Sequence, residues 1–120
     1  MKILNANTCT LKDSPSGEKF QVAIGRHEQH GSTKNHTIAI VEIAPGLSSD
    51  PHFHKEREES YYFISGNGSA IVGDQEHLIV PGTLIYASPL EKHQFINNGP
   101  DPIRYLVITA PCWIPQDSWK

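Results

Sequence analysis

His52 and His54 lie two positions apart. On an extended chain two residues advance roughly 6.5 Å and their side chains leave the same face. Two imidazoles so placed can converge on one ion. Glu59 follows five residues later, at the head of an aromatic-rich run. Strand alternation puts Glu59, Tyr61 and Phe63 on one face and Ser60, Tyr62 and Ile64 on the other. Its neighbour Glu58 points the opposite way, so only one of the two carboxylates reaches such an ion. Farther along stands His93, with Phe95 in the same parity and Asn97 four residues on. A histidine alone near a loop is an ordinary surface residue; joined to the other three it completes a ligand set. Imidazole and carboxylate together suit first-row divalent metals. Three histidines and one carboxylate occupy four positions of an octahedron. The remaining two stay open to water, substrate or dioxygen, and open positions separate a catalytic metal site from a structural one.

These residues need elements that bring them together over a long chain separation. No stretch shows the period of an amphipathic helix. Strands are expected over residues 19–25, 36–44, 60–65, 69–72, 75–80, 83–87, 93–96 and 103–110. They are rich in β-branched and aromatic residues and are separated by turns such as Pro45-Gly46, Gly66-Asn67-Gly68, Gly73-Asp74 and Pro81-Gly82. Residues 26–35 read as a polar loop. Short strands with apolar residues on both faces predict an all-β protein whose sheet closes into a small antiparallel barrel. One domain over residues 1–120 is expected, with no repeat and no linker.

The 120 residues carry a net charge of −3 with no basic patch, which argues against nucleic acid as a partner. No apolar run approaches the ~20 residues of a membrane span. The first twelve residues lack the apolar stretch of a signal peptide, so a cytoplasmic protein is expected. Cys9 and Cys112 are expected to be free thiols. His27, His30 and His36 read as solvated, as does the charged turn Lys55, Glu56, Arg57 and Glu58. Tyr86 and His77 are the only residues that suggest themselves as a general base, and His77 belongs to a strand exterior; no catalytic residue is assigned. Outward-facing Tyr62, Ile64 and Ile40 need cover, which predicts a homodimer.

The stretch from Gly46 through His52-Phe53-His54 and Glu59 to Gly66 resembles the first cupin motif: Gly, five residues, His-x-His, Glu, six residues, Gly. The spacing to Gly66 selects Glu59 over Glu58. Gly82 and His93-Gln94-Phe95-Ile96-Asn97 resemble the two ends of the second motif. Between them the family has Pro-x-Gly and this chain has Ser88-Pro89-Leu90, which leaves the loop before His93 free to take another course. The tail, with Ala110-Pro111-Cys112-Trp113, Pro115 and Asp117, is similar to that of small proteins loosely labelled mannose-6-phosphate-isomerase-like. The resemblance implies a double-stranded β-helix, a jelly-roll cupin with its motifs within residues 46–97. It implies a divalent ion (Fe, Mn, Ni or Zn) on His52, His54, Glu59 and His93. It also implies a small organic molecule in the barrel interior, bordered by Tyr61, Phe63, Phe95 and Asn97. Cupins include dioxygenases, isomerases, epimerases, decarboxylases and cyclases. The expectation is therefore a metal-dependent oxygenase or isomerase, with a non-catalytic binding or sensing module as the alternative and a purely structural role last.

Overall fold

The structure is a computed structural model that describes residues 2–8 and 11–120. Cys9 lies outside the described residues; Cys112 is buried with a free thiol. The described strands are β1 (Lys12–Asp13), β2 (Glu18–Ile24), β3 (Thr37–Ile43), β4 (Glu58–Ser65), β5 (Gly68–Val72), β6 (Gln75–Ile79), β7 (Leu84–Ala87), β8 (His93–Ile96) and β9 (Ile103–Ala110). The expected strands are all present, most with ends moved by a residue or two. β2 begins one residue early, at Glu18, and β4 begins at Glu58. The brief β1 went unread, since two residues carry no period.

Every strand pair is antiparallel. Six strands form one sheet in the order β1-β2-β3-β9-β4-β7, and three form a second in the order β6-β5-β8. The sheets do not run into one continuous hydrogen-bonded cylinder. Isolated bridges, Ser48 with Ile96 and His52 with His93, carry the segment before β4 onto the edge of β8. The result is a jelly roll closed by single bridges rather than by ladders.

Alternation explains the interior. On β9, Ile103, Tyr105, Val107 and Thr109 are buried, and on β4, Glu59, Tyr61 and Phe63. The β4–β9 register sets Glu59 opposite Thr109, Tyr61 opposite Val107 and Phe63 opposite Tyr105. Ala39, Val41 and Ile43 of β3 and Phe95 of β8 complete the same apolar cluster. Apolar burial of this kind contributes about 25 cal/mol per Å² removed from water. The outer face of β4 and its neighbours leaves Tyr62, Ile64, Leu84, Tyr86 and Ile108 exposed. Ile40, expected among them, is only 5% exposed and belongs to the buried set. No described helix is long and apolar enough to cross a membrane.

Two backbone positions in the left-handed region bear on the site. Gly66, between β4 and β5, has φ +87, and a Cβ there would run into the Pro102 carbonyl. Leu90 has φ +72 and stands where the family pattern has glycine. At that point the loop before His93 turns through a left-handed residue. Leu90 adopts a conformation that glycine adopts freely, and its N–H donates to the His54 carbonyl at 2.6 Å. A left-handed non-glycine residue costs about 1–2 kcal/mol, and the Leu90 side chain is mostly exposed, with little packing to offset this. Leu90→Gly should therefore raise stability by up to about 1 kcal/mol, after subtracting roughly 0.5–1 kcal/mol for glycine's greater unfolded freedom. Gly66→Ala should cost more than about 2 kcal/mol, because steric overpacking adds to the dihedral strain. Urea denaturation of the two variants should move the midpoint in opposite directions; equal shifts would contradict this account.

Candidate metal centre

The His52–His54 segment belongs to neither sheet. It is held extended between two neighbours: His52 exchanges backbone hydrogen bonds with His93 (3.1 and 2.9 Å), and Phe53 does so with Trp119 (2.8 and 2.9 Å). The i, i+2 geometry expected of a strand is thus supplied by β8 on one side and the C-terminal tail on the other. Glu59 enters from β4 and His93 from β8. One potential ligand atom from each of the four residues lies within 4.8 Å of all the others.

The three imidazoles share an orienting device. Nδ1 of His52 lies 2.9 Å from the Asp50 carbonyl, Nδ1 of His93 lies 3.1 Å from that of Glu91, and Nδ1 of His54 lies 2.5 Å from that of Asp117. A carbonyl oxygen only accepts, so each Nδ1 carries the proton and donates it. In the neutral ring the lone pair then sits on Nε2, the tautomer a metal-binding histidine needs. Glu59 is fixed from two sides. Thr109 Oγ1 donates to Oε2 at 2.7 Å, and the Tyr61 hydroxyl donates to Oε1 at 2.7 Å while lying 2.8 Å from His93 Nε2.

The fit to a cation shows in one contact. His54 Nε2 lies 2.7 Å from Glu59 Oε1, yet Nε2 is buried and makes no hydrogen bond of good geometry among the described residues. With Nδ1 protonated, two acceptors face each other at contact distance. That arrangement is favourable only with a positive charge between or upon them, either a proton or a metal ion. Burial opposes ionisation of Glu59, but His54 and His93 beside it, when they carry a positive charge, outweigh it and hold the carboxyl well below its usual range. Burial likewise disfavours a charged His54, and Glu59 outweighs it and raises the ring's pKa. His52 moves the other way, lowered by burial and then by His93. Burial and the Glu59 charge push the Tyr61 hydroxyl well above its usual range, so it stays a donor. The donor set, three imidazole nitrogens and a carboxylate oxygen, suits a first-row divalent ion.

The charged turn departs from expectation. Lys55, Glu56 and Glu58 are exposed, and Glu58 accepts a hydrogen bond from Tyr86, itself exposed, at 2.8 Å. Arg57 is not solvated. It is buried, donating Nε to the Cys112 carbonyl at 2.7 Å and a second nitrogen to Asp117 Oδ2 at 2.5 Å. Asp117 also accepts from the backbone N–H groups of Lys55 and Glu56. Burial opposes its ionisation, but these bonds and Arg57 push its pKa down to about 2. The pair locks the tail against the turn, and the Asp117 carbonyl in turn orients His54. Sequence reading missed Arg57 and Asp117 because sixty positions separate them and nothing local marks the pairing.

A cavity of about 450 Å³ opens over His52, His54 and Glu59. Tyr61 and Phe95 are in its lining; Phe63 and Asn97, expected there, are not. Phe63 is fully buried in the apolar cluster, one pleat beyond Tyr61. Asn97 is fully buried too, with its amide donating to the Ile43 and Asp101 carbonyls and its Oδ1 accepting from Gly99, so it secures the turn after β8. His77 is exposed and Tyr86 lies outside the lining, which removes both as bases. A further carboxylate in the lining, Glu18, was not foreseen. It opens β2 one residue ahead of the expected strand, and its inward parity with Phe20 and Val22 was the available signal.

The sequence matches the family described as Cupin domain over residues 39–109. A glucose-6-phosphate isomerase of Thermococcus kodakarensis is 36% identical over 96 residues, covering 72% of this chain and 51% of that protein. The chain spans only 20% to 66% of the length of the curated relatives it matches. Among solved structures, the polyketide cyclase RemF of Streptomyces resistomycificus superposes with a TM-score of 0.84 at 23% identity, over 100% of this chain and 84% of that one. A predicted oxalate decarboxylase of Thermotoga maritima gives 0.80 at 19% identity, over 92% and 99%. At such identities the likeness is one of fold. With the family match extending over more than half of its residues and the jelly roll in place, the chain belongs to the cupin family.

Proposed function

We propose that this cupin holds one divalent first-row ion on the Nε2 atoms of His52, His54 and His93 and a Glu59 oxygen, and that it acts on a small organic molecule seated in the cavity above them. The observation that carries the reading is the acceptor–acceptor contact of His54 and Glu59 at the base of an open cavity. When bound, the ion would supply Lewis-acid polarisation of an oxygen ligand, or dioxygen chemistry if it is iron. The chain's own residues do the positioning. Main-chain carbonyls fix the imidazoles, Thr109 and Tyr61 hold the carboxylate, and the apolar walls exclude water around the reacting group. An isomerase or an oxygenase is the reading we favour. The named activities of the matched proteins, an isomerase, a cyclase and a decarboxylase, support chemistry on a small molecule without selecting one reaction. A non-catalytic binding or sensing module is the second reading. It is favoured by one observation: the hydroxyls nearest the cluster, those of Tyr61 and Thr109, are both committed to Glu59.

Elemental analysis of protein purified without a metal-binding tag should find about one equivalent of a first-row metal per chain. His54→Ala and Glu59→Ala should lose it, while Glu58→Ala, whose carboxylate points outward to Tyr86, should retain it. Equal metal content in all three variants would remove the ligand assignment.

We also propose that the chain is a homodimer through the outer face of β4. Tyr62 stands opposite Leu84 on β7 and Leu106 on β9, and Ser60 opposite Tyr86 and Ile108. Tyr62, Leu84, Tyr86 and Ile108 thereby form one exposed, largely apolar patch on the large sheet, with Leu106 half-buried among them. Light scattering should give twice the 13.3 kDa chain mass, and Tyr62→Asp should return it to one. A wild-type monomer at high concentration would reject the dimer.

A further inference from the structure

The cavity has a second polar pole. Glu18 projects into it from the start of β2, in the same parity as Phe20 and Val22, which also line it. Ser16 Oγ donates to Glu18 Oε1 at 3.1 Å and the Tyr105 hydroxyl donates to Oε2 at 3.1 Å. A carboxylate offers about four acceptor sites, so half of its capacity is unspent. No cation pairs with it among the described residues. The rest of the wall between the two poles is largely apolar, with Phe20, Val22, Val41, Phe95, Val107 and Trp113.

We propose that Glu18 is the recognition residue for a hydroxyl of the ligand, and that the ligand is an uncharged, largely apolar molecule rather than a phosphorylated one. This rests on the cavity being the ligand site proposed above and narrows its ligand class. The charge distribution argues against phosphate. No arginine lines the cavity among the described residues. Its lysine, Lys120, is at the exposed rim and already 3.0 Å from Asp50. Away from the proposed ion, a phosphate dianion would face Glu18 and Asp50 without the bidentate or paired cationic side chains that such groups require. A neutral hydroxyl instead meets a half-satisfied carboxylate, and its apolar body replaces water along the wall. Burial raises the Glu18 pKa, partly offset by Ser16 and Tyr105, with the Glu59 charge adding to the rise. A donor from the ligand relieves that same desolvation.

The test is calorimetric titration of zinc-reconstituted protein with 2-naphthol, 2-methoxynaphthalene, glucose 6-phosphate and inorganic phosphate, with metal content measured alongside. 2-Naphthol should bind at least about tenfold tighter than its methyl ether, which has no O–H to donate, the size of one hydrogen bond to a charged group. The two phosphates should show weaker binding than either. Glu18→Gln keeps the shape; its amide oxygen accepts from one of the Ser16 and Tyr105 hydroxyls and its NH2 donates to the other. It should abolish most of the naphthol preference and leave metal content and ether binding unchanged. A preference that survives Glu18→Gln, tighter binding of glucose 6-phosphate or phosphate, or no binding of either naphthalene would each overturn the assignment. Loss of metal from the wild type would instead count against the metal centre, and the naphthol contrast still reads Glu18 in the metal-free protein.

Discussion

A carboxylate buried among three imidazoles, each with its proton pinned to the main chain, is the constraint around which this molecule is arranged. Burying an ionised group without a partner is costly, and a pair whose members are both acceptors is worse than none. Glu59 escapes this only through what surrounds it. The β4–β9 register sets Thr109 directly across from it, and alternation along β4 sets Tyr61 beside it. Both hydroxyls donate. What they leave over is the Oε1 face toward His54, and that face has no proton donor while His54 keeps its own proton on Nδ1. The sheet register, an apparently structural matter, therefore decides that the site needs a positive charge.

The imidazoles are oriented at two ranges. His52 and His93 each use the carbonyl two residues upstream, a purely local arrangement that comes with an extended backbone at those points. His54 uses the carbonyl of Asp117, sixty-three positions away. That carbonyl is in place because the Asp117 carboxylate is clamped by Arg57 and by the N–H groups of Lys55 and Glu56. A buried ion pair of this kind is a poor source of net stability and a good source of specific geometry. The tail is thus part of the metal centre without contributing a ligand to it.

The ligand candidates were legible because their spacing and type are local, and because strand alternation tells one face from the other. Alternation gives direction but not depth. Tyr61 and Phe63 have the same parity, yet one lines the cavity and the other closes the core beneath it, and Asn97 is spent on a turn. Arg57 reads as one more charge in a charged run, and only the fold reveals that it meets Asp117. The missing glycine before His93 signals a different loop path. The backbone there places Leu90 at φ +72, tolerating strain where the hydrogen bond to the His54 carbonyl holds it. Glu18 was hidden by a strand boundary: beginning β2 at residue 19 leaves its parity unread.

The division between shared and individual parts of the site follows the chain. The family match covers residues 39–109, which include all four candidate ligands, Tyr61 and Thr109. Glu18, Ser16, Phe20, Val22, Trp113 and Trp119, which line the cavity, fall outside it on β2, the loop before it and the tail. The conserved geometry of a jelly roll requires only that β3, β4, β8 and β9 hold their register. The flanking segments are packed across the opening and are free to vary in chemistry without disturbing that register. The first strands can therefore change without touching the candidate ligands, whereas the tail is bound to them through the Asp117 carbonyl that orients His54. Likeness in the central strands speaks for the candidate ligands, whereas part of the cavity wall belongs to the first strands and the last ten residues of this chain.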